Sequence, residues 1–384
     1  MKNRSIDPWI ILTSTLLIVF GLIMVYSASA MKAFERSGDE TYYLSRQLIA
    51  LAVGLVLCVC TAVTPMRILR RYRVTLYVAV LVGLVLCYVP GIRYGANGAY
   101  RWIGVGPIHW QPSEFAKIIV LIMLADQLDI VRRHVADARV VLKAALVPLP
   151  ALLLILPQPD FGTTAIIAGL CAIMIFIAGL QVRHTAIAGL AAVIVGIPVM
   201  IFEPYRVKRL TSFLNPWESM ESEGYHVIQS WIAMHSGGFW GQGLGNSQAK
   251  LDFLPEPWTD FIGAVIAEEL GLVAILGLIG LYVLFLWRGL RIARQARDAF
   301  SMLLAATLTL MVGFEAFFNL GVVMGILPPK GLVLPFISYG ATAMMSHLWV
   351  IGILLSISAE SHAAPLSAGW PVAEDEGRRM SGAA

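Results

Sequence analysis

The chain has 384 residues, of which 58% are hydrophobic and only 14% charged, with a mean hydropathy of +0.76 and a formal net charge of +4. No soluble globular domain of this length has that balance, so the chain reads as an all-α polytopic membrane protein. So small a net charge gives no reason to expect a nucleic-acid partner.

Runs of spanning length occur at about 9–29, 48–64, 74–92, 112–128, 144–157, 161–182, 185–202, 261–287, 299–328 and 331–359, which predicts about ten transmembrane helices. Lys2, Arg4, the apolar run from Trp9 to Tyr26 and the small residues at 27–30 imitate a secretory signal. The run is long for one and many spans follow, so it counts as the first helix. The fifth run is short and holds Pro148, Pro150 and Pro157, the composition of a tilted or broken span. Cys58, Cys60, Cys87 and Cys171 all lie inside apolar runs, which excludes a disulfide framework and a zinc site.

Arginine and lysine crowd into alternate loops: Arg67, Arg70, Arg71 and Arg73; Arg132, Arg133, Arg139 and Lys143; Arg288, Arg291, Arg294 and Arg297. These loops are expected in the cytoplasm, with both termini, and the loops at 30–46, 93–111, 203–260 and 328–331 outside. The expected organisation is one transmembrane domain over 1–359, with the large extracytoplasmic loop at 203–260 between spans seven and eight, and a short disordered cytoplasmic tail at 360–384.

The outward segments carry the unusual content. The Gly- and Trp-rich stretch 93–114 delivers Glu114 and Lys117 into the start of span four, three apart on one helix face, either as a buried ion pair or as part of a polar groove. In QPDFGT, Asp160 follows a chain break and reads as a helix N-cap or a site residue. Arg206, Lys208 and Arg209 open the long loop against the usual charge bias, where an anionic ligand would want them. GYHVIQSWIAMHS has the spacing of an interfacial amphipathic helix, with His226, Gln229 and Ser230 on its polar face. SGGFWGQGLGNS matches no nucleotide-binding glycine pattern.

Asp260 closes the loop, where it is expected to cap span eight. Glu268 and Glu269 follow two turns further in, at depths where ionisable groups are costly. Gly263, Ala264, Ala267, Gly271 and Ala274 share Asp260's side as a small-residue stripe that suits close helix packing or a lipid groove. Span ten begins PPKGLVLPFISYG, an interrupted start that places Lys330 outside and Ser338 within a broken helix.

RWIGVGPIHWQPSEFAK, QPDFGT, EPYRVKRLTSFLNPW, GYHVIQS, SGGFWGQGLGNSQAKLDFLPE, TDFIGAVIAEELG and PPKGLVLPFISYG, taken together and in order, resemble the SEDS family (shape, elongation, division and sporulation) of bacterial peptidoglycan glycosyltransferases. The likeness covers nearly the whole chain. PPKGLVLPFISYG and EPYRVKRLTSFLNPW resemble the division branch, and GYHVIQS the elongation branch. Two positions depart from the family pattern: Trp258 stands where a His usually precedes Thr-Asp, and Ala341 where a second Gly usually follows Ser-Tyr-Gly.

The resemblance implies that lipid II, a disaccharide-peptide on undecaprenyl pyrophosphate, is polymerised at the outer face of the bacterial cytoplasmic (inner) membrane, at the division septum for the division branch. It also implies a class B penicillin-binding transpeptidase and other divisome proteins as partners. Asp260 matches the family's essential aspartate and is the expected general base. Lys330, Lys250, Arg206, Arg209 and Arg101 are candidate pyrophosphate cations, with or without a divalent magnesium or manganese ion. Glu114, Lys117, Asp160, Gln229 and Ser338 complete the candidate substrate-binding set. No organic cofactor is expected. The competing readings are a lipid II flippase, an elongation-type polymerase and a scaffold for the transpeptidase.

Overall fold

The computed structural model describes residues 6–96, 99–105, 108–131, 143–144, 146–158, 160–179, 183, 211–220, 224–254, 256–329 and 331–361. Helix α1 (Pro8–Ser37) starts where the Asp7 carboxylate accepts from the Trp9 and Ile10 amides, and it ends at Gly38 in the left-handed conformation. It is followed by α2 (Tyr42–Val63), the short α3 (Met66–Arg71) and α4 (Arg73–Leu86). Next come α5 (Pro112–Ile130), α6 (Leu149–Ile155) and α7 (Phe161–Ile177). The chain continues through α8 (Tyr225–Gly237), α9 (Ile262–Arg294), α10 (Ala299–Val323) and α11 (Ala341–Ser361). Five of these, α1, α2, α9, α10 and α11, are long and apolar enough to cross a membrane. The expected seventh span, 185–202, lies outside the described residues.

Between α4 and α5 the chain forms an antiparallel sheet of β1 (Arg93–Ala96), β2 (Ala99–Val105) and β3 (Ile108–Trp110). The sequence reading took this stretch as a plain loop. Its signal was present, since Asn97-Gly98 and Gly106-Pro107 punctuate a run of alternating apolar residues. Two other boundaries differ. Residues 331–340, expected to open span ten, are not helical, and Glu360 and Ser361, expected in the tail, close α11.

Helix α11 is the hub. Its side chains from Thr342 to Ala359 are almost all buried, and it packs along α2, where a Cβ on Gly352 would sit 2.6 Å from the Cys58 carbonyl oxygen. Small residues at such contacts let helix backbones approach where no hydrophobic gain separates protein from lipid. Leu, Ile and Val side chains of α1, α2 and α9 point outward instead, as lipid-facing surfaces do.

Ion pairs gather the arginine-rich loops at one end. Arg288 meets Asp7 at 2.5 Å, Arg70 meets Asp126 at 2.5 Å and Asp129 at 2.8 Å, and Glu360 accepts from the Met66 amide at 2.9 Å. From that end, a rise of ~1.5 Å per residue puts Ser27 of α1 about 30 Å away and Asn319 of α10 about 32 Å away, one hydrocarbon thickness. Ser27 bonds Glu269, and Asn319 bonds the Asp260 carbonyl. Both acidic segments therefore lie at the opposite boundary, and Glu268 and Glu269 are not two turns deeper than Asp260.

The reason is a break in α9. Gly271 has φ 74° and ψ −173°, a conformation that only glycine adopts readily. The nine residues before it pack on α8 while those after it cross the membrane. The loop fills the break, with Leu272 donating to Gly238 O at 3.0 Å and Gln242 donating to Glu268 O at 2.9 Å. A Cβ at 271 would lie 2.4 Å from Phe239 O and 2.5 Å from Gly241 N, both backbone atoms. Gly271→Ala is therefore expected to cost more than the ~1–3 kcal/mol of the backbone conformation alone. Gly277→Ala, whose Cβ would meet nothing, should be neutral or better. Thermal unfolding in detergent separates the two, and equal melting temperatures would contradict the role given to Gly271.

Candidate active site

Asp260 sits half-buried in a turn just ahead of α9. Phe261, not Asp260, occupies the N-cap position, and no side chain caps the helix, so the expected capping role is corrected. The turn is held from several elements. Asn319 of α10 donates to Asp260 O at 2.9 Å and to Leu332 O at 2.6 Å. Ser338 donates to Thr259 O at 2.7 Å while its Oγ accepts from the Leu334 amide at 2.8 Å. The Tyr339 amide donates to Trp258 O at 2.9 Å. In this way the TDF turn and the 331–340 segment are stitched into one unit.

That segment is itself clamped. Gln47 of α2 donates to Ser338 O and accepts from Gly340 N, and Tyr282 of α9 donates to Pro335 O at 2.5 Å. Phe336, at φ 67°, is a non-glycine residue in the left-handed region, with its ring against Phe285 and His347. Strain of this kind persists only where the surroundings over-determine it, which the clamps do here. Gly331 faces the carboxylate: a Cβ there would lie 3.1 Å from Asp260 Oδ2. The absence of a side chain at 331 keeps that face of the carboxylate approachable.

Aromatic residues wall the turn. Trp258 is buried against Tyr43 of α2 at 4.6 Å between ring centroids, and Tyr339 meets the same Tyr43 edge-on. His226 of α8 stacks on Phe261 at 5.7 Å. The Trp in place of the family's His therefore serves as an apolar anchor for the turn. Arg46 of α2, its guanidinium 4.4 Å from the centre of the Tyr42 ring, reaches Tyr339 and is a cation at this site that the sequence reading missed. Its signal was a lone arginine at the outward start of an apolar run. Arg46→Gln is expected to weaken substrate use at least about tenfold with an unchanged melting temperature, read as a rise in the half-saturating lipid concentration. A drop in melting temperature without that rise would make Arg46 structural.

The other expected site residues divide into three groups. Arg101 and Asp160 do meet: Arg101 Nε donates to Gln158 O at 3.0 Å and its Nη1 is 3.9 Å from Asp160 Oδ1, while Asp160 caps α7 through the Thr163 amide. Gln229 is half-buried on α8 beside Ser230, which fixes that helix to the Val323 carbonyl oxygen of α10. Lys330, Arg206 and Arg209 lie outside the described residues.

Lys250, Glu114, Lys117 and Ser338 are each engaged within the protein. Lys250 donates to Gly245 O at 2.5 Å and to Glu269 Oε1 at 3.0 Å, with its side chain 11% exposed. Glu114 and Lys117 form the buried ion pair that their spacing allowed. Lys117, 2% exposed, bridges Glu114 at 2.9 Å and Glu315 of α10 at 2.5 Å, and Glu315 meets His347 of α11 at 2.6 Å. Ser338 is buried with its hydroxyl engaged on both sides, which makes it a strut. Glu315 and His347 were missed by the sequence reading, although a lone ionisable residue in an apolar span was the signal.

Glu268 is likewise saturated, accepting from Ser247 Oγ, Gln248 N and Ala249 N, while Glu269 holds Ser27 and Lys250. These two carboxylates pin the loop to α1 and α9. Among the described residues no group of three or more His, Cys, Asp or Glu converges.

Residues 8–363 match the model of the FtsW/RodA/SpoVE cell cycle protein family. The chain belongs to this family. It is 37% identical to stage V sporulation protein E of Bacillus subtilis over 94% of this chain and 99% of that protein. It is 38% identical to the probable peptidoglycan glycosyltransferase FtsW of Geobacter metallireducens, over 94% and 96%, and 39% identical to that of Coxiella burnetii, over 93% and 97%. Among solved structures it is similar to a chain of a peptidoglycan synthase complex that coordinates polymerization and crosslinking, with TM-score 0.77 and 28% identity over 93% of this chain and 98% of that one. The rod shape determining protein RodA of Thermus thermophilus gives TM-score 0.68 and 28% identity over 92% and 97%. Asp260 of this family member is half-buried on a turn held by Asn319 and Ser338.

Proposed function

We propose that this chain is a peptidoglycan glycosyltransferase that polymerises lipid II, with Asp260 as general base. The observation that carries the reading is the Asp260 carboxylate, held in a multiply anchored turn and faced by Gly331 at one hydrocarbon thickness from the arginine-rich end. In the reaction the acceptor sugar's hydroxyl oxygen bonds to the donor's anomeric carbon as the bond from that carbon to the pyrophosphate oxygen breaks. The hydroxyl proton passes to Asp260, and undecaprenyl pyrophosphate leaves. One displacement inverts the anomeric centre and needs one base, with no second carboxylate as nucleophile. The saturated Glu268 and Glu269 fit that requirement.

A pyrophosphate leaving group needs cations more than an acid. Arg46 stands at the site, and Lys330, next to Gly331 in sequence, with Arg206 and Arg209 are the further candidates, with or without a divalent ion. The arginine-rich end is assigned to the cytoplasm, with both termini there and Asp260 at the outer face of the inner membrane. Division at the septum, with a class B penicillin-binding transpeptidase and other divisome proteins as partners, is favoured by the similarity to the FtsW proteins.

Purified protein incubated with lipid II, with and without the transpeptidase, is expected to yield glycan chains. Lipid II translocation in vesicles without chains would replace the enzyme by a flippase. Orientation is tested in a variant with Cys60 replaced by Ala. A cysteine at exposed Asn246 should react with an impermeant thiol reagent on spheroplasts, and one at exposed Gln295 should not. The reverse pattern would invert the topology.

A further inference from the structure

At the arginine-rich end, α3, the start of α10 and the end of α11 enclose a cavity of about 280 Å³. We propose that it holds the phosphate of an anionic phospholipid from the leaflet at that end. The cavity has an apolar floor, Met66 and Phe300, and three arginines, Arg67, Arg70 and Arg297. Its two carboxylates are already engaged with backbone amides: Asp298 caps α10 through Ser301 N at 2.8 Å, and Glu360 accepts from Met66 N at 2.9 Å. Arg70 is engaged with Asp126 and Asp129. Arg67 and Arg297 have no ion pair among the described residues.

What the cavity lacks is an acceptor. Arg297 Nε, of a residue that lines the cavity, is buried without a hydrogen-bond partner. Leaving a buried guanidinium N–H unpaired is costly, and a phosphate oxygen is the acceptor that a fork of N–H donors fits best. The positive end of α10 adds to the attraction. The apolar side chains of Met66 and Phe300, and the place of the cavity at the end of α11 whose Ser358 Oγ accepts from the Asp7 amide, favour a lipid over a soluble phosphate. Basic pockets between helices at this level suit acidic head groups. The rival is that these arginines only mark the side of the membrane and reach into water.

The full-length chain would be reconstituted in bilayers containing phosphatidylcholine and phosphatidylglycerol, washed in detergent, and its bound lipid counted by native mass spectrometry. The wild type and a charge-matched control, Arg291→Gln with Arg294→Gln on the exposed end of α9, are expected to retain one phosphatidylglycerol. Arg67→Gln with Arg297→Gln should lose it at least tenfold. Arg67→Gln alone, at an exposed position, tests the site should the double variant not fold, with an expected loss of at least threefold. Equal retention in all variants, or none in the wild type, would overturn the proposal. Thermal protection of lipid-free wild type by inorganic phosphate, absent from the double variant, would overturn the lipid source and assign the cavity to a soluble phosphate. None of these readouts uses glycan synthesis, so they stand or fall apart from the role of Asp260.

Discussion

Asp260→Asn is expected to abolish glycan synthesis, by at least about a hundredfold, while the protein keeps its melting temperature and its assembly with a transpeptidase. General-base catalysis contributes on the order of 10²–10⁴ in rate, and Asn keeps the size of the side chain while losing the ability to take a proton. The fold should tolerate the change because the turn is fastened through backbone atoms, the Asp260 and Thr259 carbonyls, which the substitution does not touch. The carboxylate also does not cap α9, so no helix end is lost with it. Polymer length and amount from purified lipid II give the readout. Near-normal chains from a well-folded Asn variant would remove Asp260 from the base role.

Lys117→Met is expected to have the largest effect on stability. Lys117 is the cation shared by Glu114 and Glu315 in the space between α5, α10 and α11, and it is buried together with both. Methionine preserves the stem but leaves two carboxylates facing each other in a low-dielectric interior, with Ser346 and His347 as their further partners among the described residues. Removing one member of a buried ionic cluster costs about 3–5 kcal/mol, chiefly because a charge is left without compensation. Much of the protein should therefore be lost from the membrane or aggregate on extraction. Glu114→Gln should be milder, since Glu315 still pairs the lysine. Adding Glu315→Gln to Lys117→Met should recover part of the loss, because it removes a stranded charge. Thermal unfolding of the three proteins in detergent orders these effects. A Lys117→Met protein as stable as the wild type would mean that the cluster is not held by its lysine.

The site is legible in the sequence only as far as local rules reach. The pairing of Glu114 with Lys117 follows from their three-residue spacing on a helix, and Asp160 as a cap follows from a carboxylate behind a chain break. The amphipathic spacing of α8 holds only in part: Val227 and Ile228 are buried, but Ile232, expected on the apolar face, is exposed, and Ser230, expected on the polar face, is fully buried against α10. Where a partner lies far along the chain, spacing is silent. Nothing local pairs Lys250 with Glu269, Glu315 with His347, or brings Gly331 against Asp260, and those contacts decide the surroundings of each charged group.

The sequence alone determined that this chain crosses a membrane many times, that its arginine loops gather on one side and that Asp260 stands at a boundary, because hydropathy, charge bias and helix period act on neighbours in the chain. Tertiary structure alone decided the break at Gly271, since a glycine permits that conformation without requiring it, and only the backbone of Phe239 and Gly241 lying against it leaves no room for a side chain. It also decided that Glu268 and Glu269 stand at the boundary as anchors of the loop, because the depth of a side chain is fixed by where its helix bends, which residue counting along a straight helix does not foresee.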